Sequence, residues 1–316
     1  MEIFCYSPYQ ENTDLMRHSH DPRSLAALSF RQMSQRYPHY ARILTWLSAC
    51  RLIRRPDIVA IGWPEGTSRQ NRNHGLRQLL DHGQIEAVDR QEQLFKLGRR
   101  GARLLQEAGI PAHYRATPRP SAQPGLILAG EFAVALGRQL MWHRHISAMA
   151  WREEPFAGSI VRPDGSAEVL YTFRPRLDGG CHHGLLTTQA AWVAMAHTCG
   201  ITLCLEVDRV TQFASKIEDR VRNWGAALQR RDAGAPPEAR PLLVLWLTAG
   251  TWRRAHTIQR LWTRQTQHPA LFTTVHQLRH KTADAPLDPL GEIWIGCDGA
   301  AIRGQDMFTI ALGVNR

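Results

Sequence analysis

From residue 201 onward, short apolar runs alternate with longer helical stretches, and this rhythm constrains the fold more than any other feature of the chain. Strand-like runs at 201–207, 242–247, 272–275 and 292–295 are interleaved with helical patterns at 212–229 and 252–264, and a Pro/Ala/Gly loop fills 234–241. Strands and helices in alternation predict an α/β arrangement with helices packed on a sheet. Upstream, 126–138 is helical and contains Glu131, Met141-Trp142-His143 opens a strand, and 159–161 and 169–172 are short strands. A Gly/His/Cys-rich stretch and a helical segment at 190–196 follow, and 306–314 would add an edge strand. Residues 126–316 are therefore expected to form one α/β domain with a mixed sheet.

Residues 40–107 have a different rhythm. Ile43, Leu44, Leu47 and Leu52 recur at helical spacing over 40–53, with Arg54-Arg55-Pro56 as the stop. The short apolar segment 58–61 and the turn Trp63-Pro64-Glu65-Gly66 come next. Thr67 or Ser68 then caps a helix through Leu76, Leu79 and Leu80, which ends at Gly83. Strands at 85–88 and 93–97 flank a polar tip, and a last helix runs through Leu104 and Leu105. Helix, short helix, helix, hairpin, helix is the order of a winged helix-turn-helix, expected over 39–110. It follows an arm at 1–38 with a short helix near 25–33 and precedes a Pro-rich linker at 111–125.

In such a unit the third helix lies in the major groove, where Arg, Asn and Gln read guanine and adenine edges. Its first turns present Ser68, Arg69, Gln70, Arg72, Asn73 and Arg77 opposite the leucine stripe. Arg90 at the hairpin tip, with Lys96, Arg99, Arg100 and Arg103, would hold phosphates. The expected partner is double-stranded DNA, and a two-fold homodimer would space its half-sites about 10 base pairs apart or a multiple of that.

Composition agrees. The 316 residues carry a formal net charge of +11, and 36 of the 39 basic residues are arginine, a field that gathers polyanions. Only Lys96, Lys216 and Lys281 are lysines. No run approaches the roughly 18 apolar residues of a membrane helix, so no membrane partner is expected. The start Met1-Glu2-Ile3-Phe4 lacks a basic region followed by an apolar one, and the six cysteines are scattered. A bacterial cytoplasmic location is expected. Cys181, His182, His183, His197, Cys199 and Cys204 lack zinc-finger spacing. The absence of a Gly-x-x-x-x-Gly-Lys-Ser/Thr loop speaks against nucleotide hydrolysis.

One constellation carries potential chemistry. Asp164 stands in Pro163-Asp164-Gly165, Glu206 and Asp208 end an apolar strand two residues apart, and Lys216 lies just inside the next helix. Alternation puts Glu206 and Asp208 on one face. Three convergent carboxylates would suit Mg²⁺ or Mn²⁺, with Lys216 stabilising a phosphodiester in transition.

The succession of winged helix, linker, Pro-Asp-Gly, Leu205-Glu206-Val207-Asp208-Arg209, a helix with Lys216, and the apolar strand before Arg253-Arg254 resembles the bacterial replication-relaxation family of plasmid and mobile-element proteins. The resemblance spans about residues 40–275. It implies a C-terminal domain similar to the restriction-endonuclease-like PD-(D/E)xK fold. Asp164 would match its first acid, Glu206 its second, and Glu131 the helix acid of some members. Asp208 occupies the position of the usual lysine, which Lys216 would replace. The implied activity is metal-dependent DNA nicking in replication, relaxation or mobilisation. The alternative is a catalytically inactive DNA-binding scaffold or transcriptional regulator that recruits a protein partner to a transposition, replication or defence complex.

Overall fold

The computed structural model describes residues 28–91, 93–110, 112–141, 146–155, 169–177, 202–210, 214–234, 242–280, 285–307 and 310. The chain divides into two compact units, residues 3–134 and 135–316.

The first unit opens with α1 (Phe30–Arg36), held by a capping box in which Ser29 and Gln32 satisfy each other's backbone N–H groups. Pro38 starts α2 (Pro38–Ala49), whose buried stripe includes Tyr40, Ile43, Leu44 and Leu47. The helix expected to run to residue 53 stops at Ala49. Leu52 and Ile53 are buried, but Ile53–Arg54 is strand β1, paired antiparallel with Leu94 and Phe95. A two-residue strand is too short to show a period of its own, so its apolar residues read as a continuation of the helix. Arg54-Arg55-Pro56 is accordingly a start rather than a stop: α3 spans Arg55–Gly62 with Pro56 in its first turn, where a missing N–H costs nothing.

Ser68, not Thr67, caps α4 (Arg69–Asp81) by accepting from the Asn71 N–H at 3.2 Å. Gly83, at φ +62°, ends the turn after it. The hairpin β2 (Ile85–Ala87) and β3 (Leu94–Leu97) joins β1 in a three-stranded antiparallel sheet of order β1-β3-β2. α5 (Arg99–Glu107) follows directly. Close backbone approach fixes its seat: a Cβ on Gly101 would stand 2.2 Å from the Gln84 carbonyl oxygen. Ile43, Leu44, Leu52, Ile58, Leu79, Phe95 and Leu105 are all fully buried in this unit. Residues 112–119 are irregular, and α6 (Gln123–Met141) opens before the end of the linker expected at 111–125.

That unit is built on a seven-stranded mixed sheet of order β10-β9-β8-β7-β6-β5-β4. β4 (Ile146–Pro155), β5 (Val169–Leu177) and β6 (Thr202–Asp208) form an antiparallel meander. β6 then runs parallel to β7 (Leu242–Thr248), and β7 to β8 (Ala270–Thr274). The crossovers are α7 (Ala214–Gly234) and α8 (Trp252–Gln265). β9 (Ile293–Ile295) and β10 (Ala301–Arg303) close the other side antiparallel. Both crossover helices pack on one sheet face. Cys204, Val244, Trp246, Ala270 and Phe272 meet Ile217, Val221, Trp224 and Leu228 of α7 and Ala255, Ile258 and Trp262 of α8. The alternate residues Leu203, Leu205, Leu243, Leu245, Leu247 and Leu271 are buried as well, as parallel strands covered on both faces should be.

Three expected strands are displaced. Met141 ends α6 and the strand begins at Ile146; its polar Arg152-Glu153-Glu154 run conceals it, since an edge strand needs no apolar pattern. Thr274, not Val275, ends β8, because its side chain accepts from the Gln277 N–H at 3.0 Å and opens the short helix α9 (Val275–Leu278). The opposite edge is β10, and Gly304–Asp306 forms a 3-10 turn where a strand from 306 was expected. The segments 159–161, 178–200 and Asp164 lie outside the described residues.

Candidate nucleic-acid interface and carboxylate cluster

α4 separates into two faces. Gly75, Leu76, Gln78 and Leu79 are buried, and the Tyr40 hydroxyl donates to Gln78 Oε1 at 2.7 Å. Burial, with Tyr37 nearby, pushes the Tyr40 phenol well above its ordinary value, so it stays a donor. Arg69, Gln70, Asn73 and Arg77 are exposed on the other face, with Arg72 half-buried at its margin. Arg69, Asn73 and Arg77 are four residues apart and align along one stripe. Ser68 is exposed, but its hydroxyl is used in capping.

Arg90, Arg99 and Arg100 are exposed, whereas Lys96 faces inward. Its side chain is 6% exposed, its Nζ pairs with Glu86 at 2.5 Å, and it donates to the Arg115 carbonyl at 3.2 Å. It also lies 4.2 Å from the centre of the Tyr114 ring, with the Arg99 guanidinium 4.9 Å from the same ring. Lys96 thus holds the 112–116 stretch to the hairpin and presents no ammonium outward. Arg55, which reads as part of a helix stop in the sequence, donates from Nη2 to Asn73 Oδ1 of α4 at 3.0 Å. Arg54 pairs with Asp57 at 3.1 Å and Glu131 at 2.8 Å. Burial opposes the Arg54 charge, but Asp57 and Glu131 outweigh it and raise its pKa. Glu131 therefore serves as a buried counter-ion in the first unit.

In the second unit Glu206 and Asp208 share one face of β6, as alternation requires. Glu206 sits in register with Trp246 and Phe272, Asp208 with Thr248 and Thr274. Each is buried and each has its own arginine. Glu206 pairs with Arg220 of α7 and accepts from Trp224 Nε1 at 3.0 Å. Asp208 accepts four bonds: Arg254 Nε at 2.5 Å and Thr248 Oγ1 at 2.6 Å on Oδ2, and Arg254 Nη2 at 3.0 Å and the Val210 N–H at 3.1 Å on Oδ1. A carboxylate has about four lone-pair directions, and here all are engaged. Burial works to raise the Asp208 pKa, but the bonds from Arg254, Thr248 and Val210 prevail and lower it.

Gly250 makes the Arg254 reach possible, since a Cβ there would lie 2.8 Å from Arg254 Cδ. Lys216 is exposed near the start of α7, and the counter-ion of Asp208 is Arg254 instead. A divalent ion at Glu206 and Asp208 would have to displace two guanidinium groups, so these carboxylates do not fit Mg²⁺ or Mn²⁺ in this arrangement. Among the described residues no group of three His, Cys, Asp or Glu side chains is placed to hold a metal. Arg220 had a legible signal, a charged residue bordering the Ile217, Val221, Trp224 stripe. Such a residue requires a partner.

Comparison with protein-family models, curated proteins and solved structures returns no match.

Proposed function

We propose that this chain is a sequence-recognising, double-stranded-DNA-binding protein that uses its second unit as a scaffold. The observation that carries the reading is the two-faced α4. A leucine stripe seats it in the first unit while Arg69, Gln70, Asn73 and Arg77 form one exposed stripe of base-reading side-chain types. The order α2-β1-α3-α4-β2-β3-α5 with sheet order β1-β3-β2 supports a winged helix-turn-helix, in which α4 enters the major groove and the hairpin serves as wing. Arg90, Arg99 and Arg100 would hold phosphates; Lys96 would act through the hairpin's shape.

The mixed sheet flanked by crossover helices supports a restriction-endonuclease-like second unit and, with it, a replication-relaxation protein of a plasmid or mobile element in the bacterial cytoplasm. Engagement of Glu206 by Arg220 and Trp224 and of Asp208 by Arg254, Thr248 and Val210 favours the catalytically inactive form of that fold, recruiting a protein partner, over a nickase. Enrichment of a random duplex pool near physiological salt tests the first claim: recovery of a shared motif is expected, and an unenriched pool contradicts it. Incubation of supercoiled plasmid with Mg²⁺ or Mn²⁺ tests the second. Binding without nicking is expected; metal-dependent nicking abolished by Glu206→Ala and Asp164→Ala would restore the nuclease.

A further inference from the structure

The crossover helix α8 carries formal charge of one sign only. Its sequence includes Arg253, Arg254, Arg260 and Arg264 and no Asp or Glu. Arg254 is committed to Asp208, whereas the other three arginines are exposed. At about 3.6 residues per turn, Arg253, Arg260 and Arg264 fall within an arc of about 40°, opposite the buried Ala255, Ile258 and Trp262. They span about 16 Å along the axis, since each residue rises about 1.5 Å. Among the described residues, none of the three guanidinium groups is paired with a carboxylate. The neighbouring helix α7 differs, because its exposed Arg222 is met by Asp219 at 3.1 Å and Glu218 at 3.7 Å.

An unneutralised arginine stripe attracts a polyanion, and its make-up separates the candidates. Thr257, also exposed, fills the stripe between Arg253 and Arg260, and the exposed Trp252 lies about 100° round the helix from Arg253. A protein interface is centred on apolar side chains, and a helix lying on a membrane turns its apolar face outward. The apolar face of α8 is instead packed on the sheet. Guanidinium groups with no apolar centre match a row of phosphates, each of which the planar fork engages through two N–H groups. We infer that the outer face of α8 is a second, sequence-independent DNA contact, in which Arg253, Arg260 and Arg264 hold phosphates of a duplex backbone. Its length covers about five nucleotide steps of one strand at about 3.4 Å each. The inference takes duplex DNA as the partner from the proposed function and does not depend on base reading by α4.

The test is a salt titration of the full chain on two duplexes of unrelated sequence, read by fluorescence anisotropy. The proteins are wild type, Arg253→Gln, the double variant Arg260→Gln/Arg264→Gln, and the control double Arg222→Gln/Arg303→Gln, each checked by thermal melting. Both doubles remove the same charge, and Arg222 and Arg303 are exposed elsewhere in the second unit. The α8 double should reduce the slope of log affinity against log salt by about 2 and Arg253→Gln by about 1, at about 0.9 per phosphate contact. Both duplexes should weaken by the same factor, and the control should keep the wild-type slope. An unchanged slope in the α8 variants overturns the inference. So does an equal drop in the two doubles, which would make net charge alone responsible. Either result leaves base reading by α4 intact, whereas a random pool that enriches no motif removes that reading and leaves the α8 contact standing.

Discussion

Each buried carboxylate on β6 depends on one arginine, and losing that arginine leaves a charge inside the sheet with no counter-ion. Such a loss costs about 3–5 kcal/mol. Arg254→Ala and Arg220→Ala are each expected to lower stability by about that amount in urea unfolding, and changes under about 1 kcal/mol would show the pairs to be incidental. The sign of the pH effect follows from the lowered Asp208 pKa. Its contribution is fully present above the unfolded value of about 3.9 and is lost as pH falls through the lower folded value. As pH falls below the unfolded value the wild type should therefore lose more stability than Asp208→Asn. Parallel acid limbs in melts of the two proteins would contradict that.

At the scale of elements, the helix seats depend on places where one backbone touches another. Gly101→Ala forces a Cβ onto the Gln84 carbonyl oxygen, and overpacking of this kind costs about 1–3 kcal/mol. It should lower the melting temperature, and an unchanged melt would show that α5 shifts freely on the hairpin. The same packing explains what the sequence made legible. α4, α8 and the strands β6 and β7 announce themselves through periodicity, caps and apolar runs, since each buries a face proportionate to its length. β1 and β4 do not: one is two residues long and the other is a sheet edge with a polar run. Alternation placed Glu206 and Asp208 on a common face correctly. Their arginines lie 14 and 46 residues downstream on separate helices, a pairing that no local spacing encodes. Lys96 misleads for the opposite reason: a rare lysine on a hairpin reads as a phosphate contact until its Glu86 partner and burial are known.

For the molecule as a whole, the net charge of +11 makes binding to any DNA at low salt uninformative, because counterion release alone drives it. What separates a base reader from a merely basic protein is how single substitutions divide between sequences. The most direct measurement is a titration near physiological salt of wild type, Arg69→Ala and Arg99→Ala against the enriched duplex and a scrambled one. Arg69→Ala should lose about 1–3 kcal/mol on the enriched duplex and little on the scrambled one. Arg99→Ala should weaken both alike and reduce the salt slope by about 1. Equal losses on both duplexes for both variants would contradict α4 as the element that reads DNA.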